Sequence, residues 1–179
     1  MKGLVDALKK IAAAEVYVGV TEESAPREGE KVNNAQLVYV HTHGSPLRNI
    51  PPRPIIEPAI EADDNKAQIS KELGEAAKAL LDGNPKAATK FLNQAGQTGA
   101  DAAKNWFDDP RNNWAPLKQE TIFRKMGKKR GKKTLIRNIK AAGKDGGFSV
   151  EQYMALSDAA QPLVDTAAMK QAMKYTVKE

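Results

Sequence analysis

The sequence predicts an α+β fold, and three observations carry that reading. Apolar residues recur at three- and four-residue spacing through most of the chain, as on the buried face of a helix. Two short stretches, "EVYVGV" at 15–20 and "MKYTVK" at 173–178, have instead the pattern of strands. Glycine, proline and asparagine fall between these segments, where turns and helix ends need them. At 179 residues, 41% of them hydrophobic, the chain suits one domain with decorations and can bury about two-thirds of the surface of its unfolded form.

Residues 1–14 place Leu4, Val5, Leu8, Ile11 and Ala12 at the spacing of an amphipathic helix. The strand 15–20 follows, with Val16, Val18 and Val20 on one face, and gives way to the polar loop "TEESAPREGEK". Asn33 or Asn34 can cap a second helix through "AQLVYVHTHG", whose turns carry Leu37, Val40 and His41 and which Gly44 stops in a left-handed conformation. The prolines of "IPPRP" lead into the longest helix, over 54–82, with Ile56, Ile60, Ile69, Leu73, Ala76, Leu80 and Leu81 at largely helical spacing. Gly83 closes it, and Pro58 belongs in its first turn or marks a second start.

The next helix begins at Asn84 as cap with Pro85 in the first helical position, and runs until Pro110. Gly96 and Gly99 weaken its middle by about 1 kcal/mol each relative to alanine, which close packing would explain. Trp106 and Trp114 read as core or interface anchors. Beyond them come a short helix carrying Leu117, Ile122 and Met126, a glycine-containing basic arm, and a short helix around "SVEQYMALSDAA". A last helix, capped by Asp165 or Thr166 and turning Leu163 and Met169 inward, precedes the terminal strand. The domain expectation is a single α+β domain from 1–123 and 162–179, with 124–161 an insertion or arm.

Charge separates the two parts. The chain carries a net +6, yet residues 124–144 hold ten Lys or Arg and no acid, so the remainder is at −4. The absence of cysteine excludes disulfides, thiolate metal sites and cysteine nucleophiles, and fits synthesis in the cytoplasm. Lys2, Lys9 and Lys10 interrupt the apolar residues of the amino end, which therefore lacks the run of a secretory leader. No stretch approaches the roughly 20 apolar residues of a bilayer span, so a soluble protein without membrane contact is expected.

Chemistry finds little to build on. His41 and His43 could share a metal on a strand, but on a helix residues two apart diverge, and no Asp or Glu lies between Lys31 and Pro54 to complete a zinc site. No nucleophile motif accompanies either histidine as a general base. The pairs Asp63 and Asp64, and Asp108 and Asp109, fit solvation and capping at helix ends. "GQTGA" lacks the lysine and preceding strand of a phosphate loop. The expectation is no catalytic residue, no metal and no cofactor. The strongest physical signal is the basic arm: Lys128, Lys129, Arg130, Lys132, Lys133, Arg137 and Lys140 can meet phosphates without sequence preference, or an acidic protein neighbour. It has no aromatic stacking platform.

Four stretches in three separated regions share an order. "VYVHTHG" and "IPPRPIIEPAI" are followed by "LKQETIFRK" at 117–125 and then by "PLVDTAAMKQAMKYTV" at 162–177. Together they resemble the tailed-bacteriophage neck and tail-completion proteins, the HK97 gp10-like group and the related virion-morphogenesis proteins. That family has a helix ending in A-x-x-H-E-F-G, then I-P-x-R-P-F, then L-x-x-x-T-I-x-x-K and P-L-I-D-T-G-x-L-x-x-S-I-x-Y-x-V. Thr42 and His43 stand at its acidic and aromatic positions, Ile55 at its phenylalanine and Ala167 at its glycine. The basic insertion has no counterpart in the pattern.

The resemblance implies a small antiparallel sheet flanked by several helices, and a ring assembled where tail meets head. It implies a structural virion protein with no reaction of its own, a homo-hexamer whose partners are the tail tube, the tail terminator and the head-tail connector, with possible contact to channel DNA. A tail terminator or head-proximal adaptor is the alternative station, and a non-specific DNA-binding protein the alternative class. The residues expected to shape the joint or a subunit contact are Gly44, Pro51, Pro52, Arg53, Pro54, Trp114, Asp165 and Thr166. Arg53 is expected either at a carboxylate or carbonyl across a subunit contact or as a surface charge.

Overall fold

A computed structural model describes residues 2–27, 29, 31–115, 117, 121 and 167–178. The chain divides into one unit of Met1–Asn112 with Ala168–Glu179 and a second of Asn113–Ala167. Nearly all of the second unit lies outside the described residues, and with it the basic arm, the helix expected around 149–160, Asp165, Thr166 and the domain boundaries at 123 and 162.

The elements are α1 (Lys2–Ala13), β1 (Glu15–Val20), α2 (Asn34–His43), α3 (Ile56–Glu61), α4 (Asp63–Leu81), α5 (Pro85–Asn105), α6 (Ala168–Gln171) and β2 (Met173–Lys178), with single 3-10 turns at Pro46–Arg48 and Pro110–Asn112. The fold is α+β: β1 and β2, from opposite ends of the sequence, pair antiparallel as a two-stranded sheet among helices.

Alternation decides which side of that sheet is covered. Val16, Val18 and Val20 pair with Val177, Tyr175 and Met173, so six apolar or aromatic residues share one face, while Glu15, Tyr17, Lys174, Thr176 and Lys178 turn to solvent. The covered face lies on α5 at its two glycines. A β-carbon on Gly96 would stand 2.2 Å from Cδ2 of Tyr175, and one on Gly99 would stand 2.8 Å from Cγ2 of Val18. Since Val18 and Tyr175 are direct cross-strand partners, one side-chain pair fills one notch in the helix. The Tyr175 hydroxyl donates to Asn93 Oδ1 at 3.2 Å, fixing the ring. The local weakness that glycine brings to a helix interior is thus the condition for seating the sheet.

Helix α5 starts as its sequence dictates, with Asn84 Oδ1 accepting from the Ala87 amide at 3.1 Å and Pro85 in the first turn. It ends at Asn105 rather than at Pro110, and Trp106, 6% exposed, packs under the turn that follows. The single helix expected over 54–82 is two. Ala62 is extended at φ −59°, ψ 131°, and the Asn65 side chain donates to the Ala59 carbonyl at the end of α3, at 2.8 Å. Asp63 and Asp64 then open α4, where their charge meets the positive end of the helix dipole. The longest helix is therefore α5, with 21 residues against 19 in α4.

Not every apolar face is covered. On α1, Ala7 is buried against α4, whereas Leu4, Val5 and Leu8 are 57%, 48% and 52% exposed. On α4, Ala76 and Ala79 are buried while Leu73 and Leu81 are exposed. No described helix is long and apolar enough to cross a membrane.

Candidate functional site

The joint between α2 and α3 concentrates the residues that the sequence singles out. Helix α2 begins with a reciprocal cap: the Gln36 amide donates to Asn33 Oδ1 at 2.8 Å, and the Asn33 amide donates to Gln36 Oε1 at 3.0 Å. The choice between Asn33 and Asn34 as cap is therefore settled for Asn33. Asn34 is buried instead, its Nδ2 donating to the Ser24 carbonyl at 3.0 Å and its Oδ1 accepting from Arg27 at 3.4 Å. Ser24 in turn donates to the Ala172 carbonyl at 2.8 Å, so the loop after β1 ties α2 to the carboxyl end of the chain.

Gly44 stops α2, but not in the left-handed helical conformation expected of it. Its φ of 74° combines with ψ of 179°, a backbone region that essentially only glycine enters. Space also requires glycine: an added β-carbon would lie 2.9 Å from the Ile50 carbonyl oxygen and 3.0 Å from the Pro52 nitrogen. Ser45 and Ile50 then exchange two backbone hydrogen bonds, of 2.8 and 3.0 Å, and close a loop around the turn at Pro46–Arg48. Asn49 completes that turn in the left-handed region, which asparagine tolerates, and Leu47 at its tip is 99% exposed.

The segment 51–54 brings the chain back. Pro52 is exposed, Pro51 and Pro54 are half-buried, and the Arg53 amide donates to the His41 carbonyl at 2.5 Å. Arg53 itself is only 4% exposed, which corrects the expectation of a surface charge. The fixed backbone angles of its flanking prolines turn the residue inward, where burial lowers the pKa of its guanidinium. Ile55, next in sequence, is fully buried.

The two histidines part, as their spacing on a helix requires. His41 is half-buried beside Arg53; loss of hydration, and then the Arg53 charge, hold its pKa below the ordinary value of 6.5. Its Nδ1 is shielded from solvent and meets no hydrogen-bond partner among the described residues. His43 is exposed, its ring 4.3 Å from that of Tyr39 and its Nδ1 donating to the Tyr39 carbonyl at 2.9 Å. Among the described residues no three His, Cys, Asp or Glu side chains could hold a metal ion. Comparison of the chain with protein-family models, with curated proteins and with solved structures finds no match.

A second polar cluster closes the opposite end of α5. Arg111 donates to Asp64 at 2.9 Å and to Asp109 at 2.7 Å, and lies over the Trp106 ring at 5.6 Å. Its hydrogen bonds hold both carboxyls below their usual pKa. Lys170 pairs with Asp108. Asp64, Asp108 and Asp109 are thus engaged by cations, beyond the solvation and capping expected of them. Because Arg111, Asp64 and Asp108 are about half exposed or more, each pair adds little stability; the cluster fixes geometry where the chain leaves and re-enters this unit. Trp114, just past that exit, is half-buried. Beyond the local Asp109–Arg111 pair the cluster has no signature in sequence, since its other partners are 47 and 62 residues apart.

Proposed function

We propose that the chain is a structural virion protein of a tailed bacteriophage, a ring-forming neck or tail-completion component that joins the tail to the head connector around the DNA channel. Its ring is a homo-hexamer, it takes no cofactor and catalyses nothing, and its neighbours are the tail tube, the tail terminator and the connector.

What supports this reading most is the behaviour of two positions at which the chain departs from the family pattern it resembles. Ile55, where the family carries phenylalanine, is fully buried behind the proline joint. Ala167, where the family carries glycine, has a φ of 56°, the region in which glycine is favoured and alanine is strained. Sequence resemblance alone has no reason to place a buried site and a left-handed site at those two positions. A strand ending the chain and closing on β1 fits the same pattern.

Deleting the coding region from the phage tests the proposal. Full heads and finished tails should accumulate unjoined, and the purified protein should restore joining in extract; normal joining in the deletion removes the reading. Residues 124–144 keep a DNA-binding reading open beside it, because ten cations without an acid can neutralise phosphate. DNA affinity that falls steeply with salt in the intact chain, and is lost when those cations are neutralised, would favour that class.

A further inference from the structure

The two-stranded sheet has an open side at β2. Among the described residues β2 makes backbone hydrogen bonds to β1 alone. In an antiparallel pair every second residue turns both its N–H and its C=O toward the partner and the others turn theirs away, so half of the six residues of β2 present these groups to the outside. Two clefts run along that side, and no residue of β1 lines either of them. One lies between Thr89 and Asn93 of α5 and Tyr175, Thr176 and Val177 of β2; the other continues past Lys174 to the loop at 21–24. The hydroxyl of Tyr175, donating to Asn93 at 3.2 Å, ties the two walls of the first cleft together. Strand β1 instead has α2 and Ile56 packed beside it.

We infer that the outer edge of β2 takes up an extended peptide segment of another protein as a third, antiparallel strand. Ring assembly plays no part in this. A row of alternating backbone donors and acceptors is satisfied by an extended chain and not by a helix, whose own N–H and C=O groups are already paired. Tyr175 and Val177 face α5 while Lys174, Thr176 and Lys178 face solvent, so the incoming strand alternates small apolar residues, set over Thr89 and Asn93, with polar ones on the outside. Charge sets its direction. Lys178, 3.9 Å from Glu15, stands at one end of the edge, and the exposed Glu22 and Glu23 line the cleft at the other. An antiparallel strand matches these ends with an acid at its amino end and a base at its carboxyl end. The β2 of a second copy fits poorly: antiparallel pairing centred on Thr176 sets the Lys174 of each copy against the Lys178 of the other, the like-charge arrangement by which exposed edges resist self-pairing.

The test titrates the full chain into a fluorescent seven-residue peptide of alternating valine and threonine, with glutamate at its amino end and lysine at its carboxyl end, and reads anisotropy. Two further peptides carry backbone N-methyl groups, one on the odd and one on the even positions. Only one edge of a bound strand meets β2, so one methylated peptide should lose at least about tenfold in affinity while the other binds as the parent does. The peptide of reversed sequence should bind about threefold to tenfold more weakly than the parent. Lys178→Glu combined with Glu22→Lys and Glu23→Lys changes only exposed positions, leaves the melting curve in place, and should invert that preference. No binding at millimolar peptide, equal binding of the two methylated peptides, or a preference that fails to invert would overturn the assignment. Self-association that the charge exchange abolishes and the peptide does not compete with would also overturn it, and would give the edge to a second copy.

Discussion

Helices α1 and α5 both carry an amphipathic pattern in sequence, yet they end in opposite situations. Alanines, two glycines and Leu92 on α5 are buried under α4 and the sheet, while α1 buries little beyond Ala7 and leaves Leu4, Val5 and Leu8 in water. Periodicity says that a helix has an apolar face. What covers the face is decided elsewhere: on α5 by two glycines that admit Val18 and Tyr175, and on α1 by nothing among the described residues.

Breaking the α5 seam should have the largest effect. Gly96→Ala puts a methyl group 2.2 Å from the Tyr175 ring, whose Cγ at 2.7 Å cannot swing aside as a chain end could. Urea unfolding should show a loss of about 2 to 3 kcal/mol even though alanine is the better helix former. An unchanged midpoint would mean that the sheet does not sit in the notch.

The joint should respond to acid. His41 has its pKa lowered in the folded chain, so the unfolded chain binds the proton more readily, and stability falls as pH drops below about 6.5. One such group contributes a slope of at most about 1.4 kcal/mol per pH unit. Denaturation measured from pH 7.5 to 5 should lose that component in His41→Gln, and an identical slope in the variant would rule His41 out as its source.

Two smaller effects sharpen the contrast. Ala167→Gly relieves a left-handed alanine and should stabilise the protein by about 0.5 to 1 kcal/mol, net of the extra freedom glycine gives the unfolded chain. Leu8→Ser should change the stability of the dilute protein by no more than about 0.5 kcal/mol, because Leu8 is already half exposed. A loss like that of Gly96→Ala would mean that α1 is covered after all.

The fold was largely legible where local chemistry decides the outcome. Strand β1 with its Val16, Val18, Val20 face, the Asn84 cap with Pro85, and the stop at Gly44 all lie where short-range signals put them. The break at Ala62 was not, because Asn65 reaching back to Ala59 competes with a helical pattern that runs straight through it. The inward turn of Arg53 was not either: its burial depends on how 51–54 docks behind α2, through the bond to the His41 carbonyl. At the candidate site the sequence marked the joint and dismissed shared metal binding by the histidines on the helical spacing that does separate them, but nothing in "SPLRNI" announces that Leu47 will stand clear of the fold.

The central claim is a ring at the junction of head and tail, and locating the chain there tests it most directly. Electron microscopy of the assembled particle, with the chain tagged at the exposed Lys86→Cys and labelled with gold, should place a single ring of label on the particle axis between head and tail. Label scattered over the capsid, spread along the tail or missing from the particle would contradict the account.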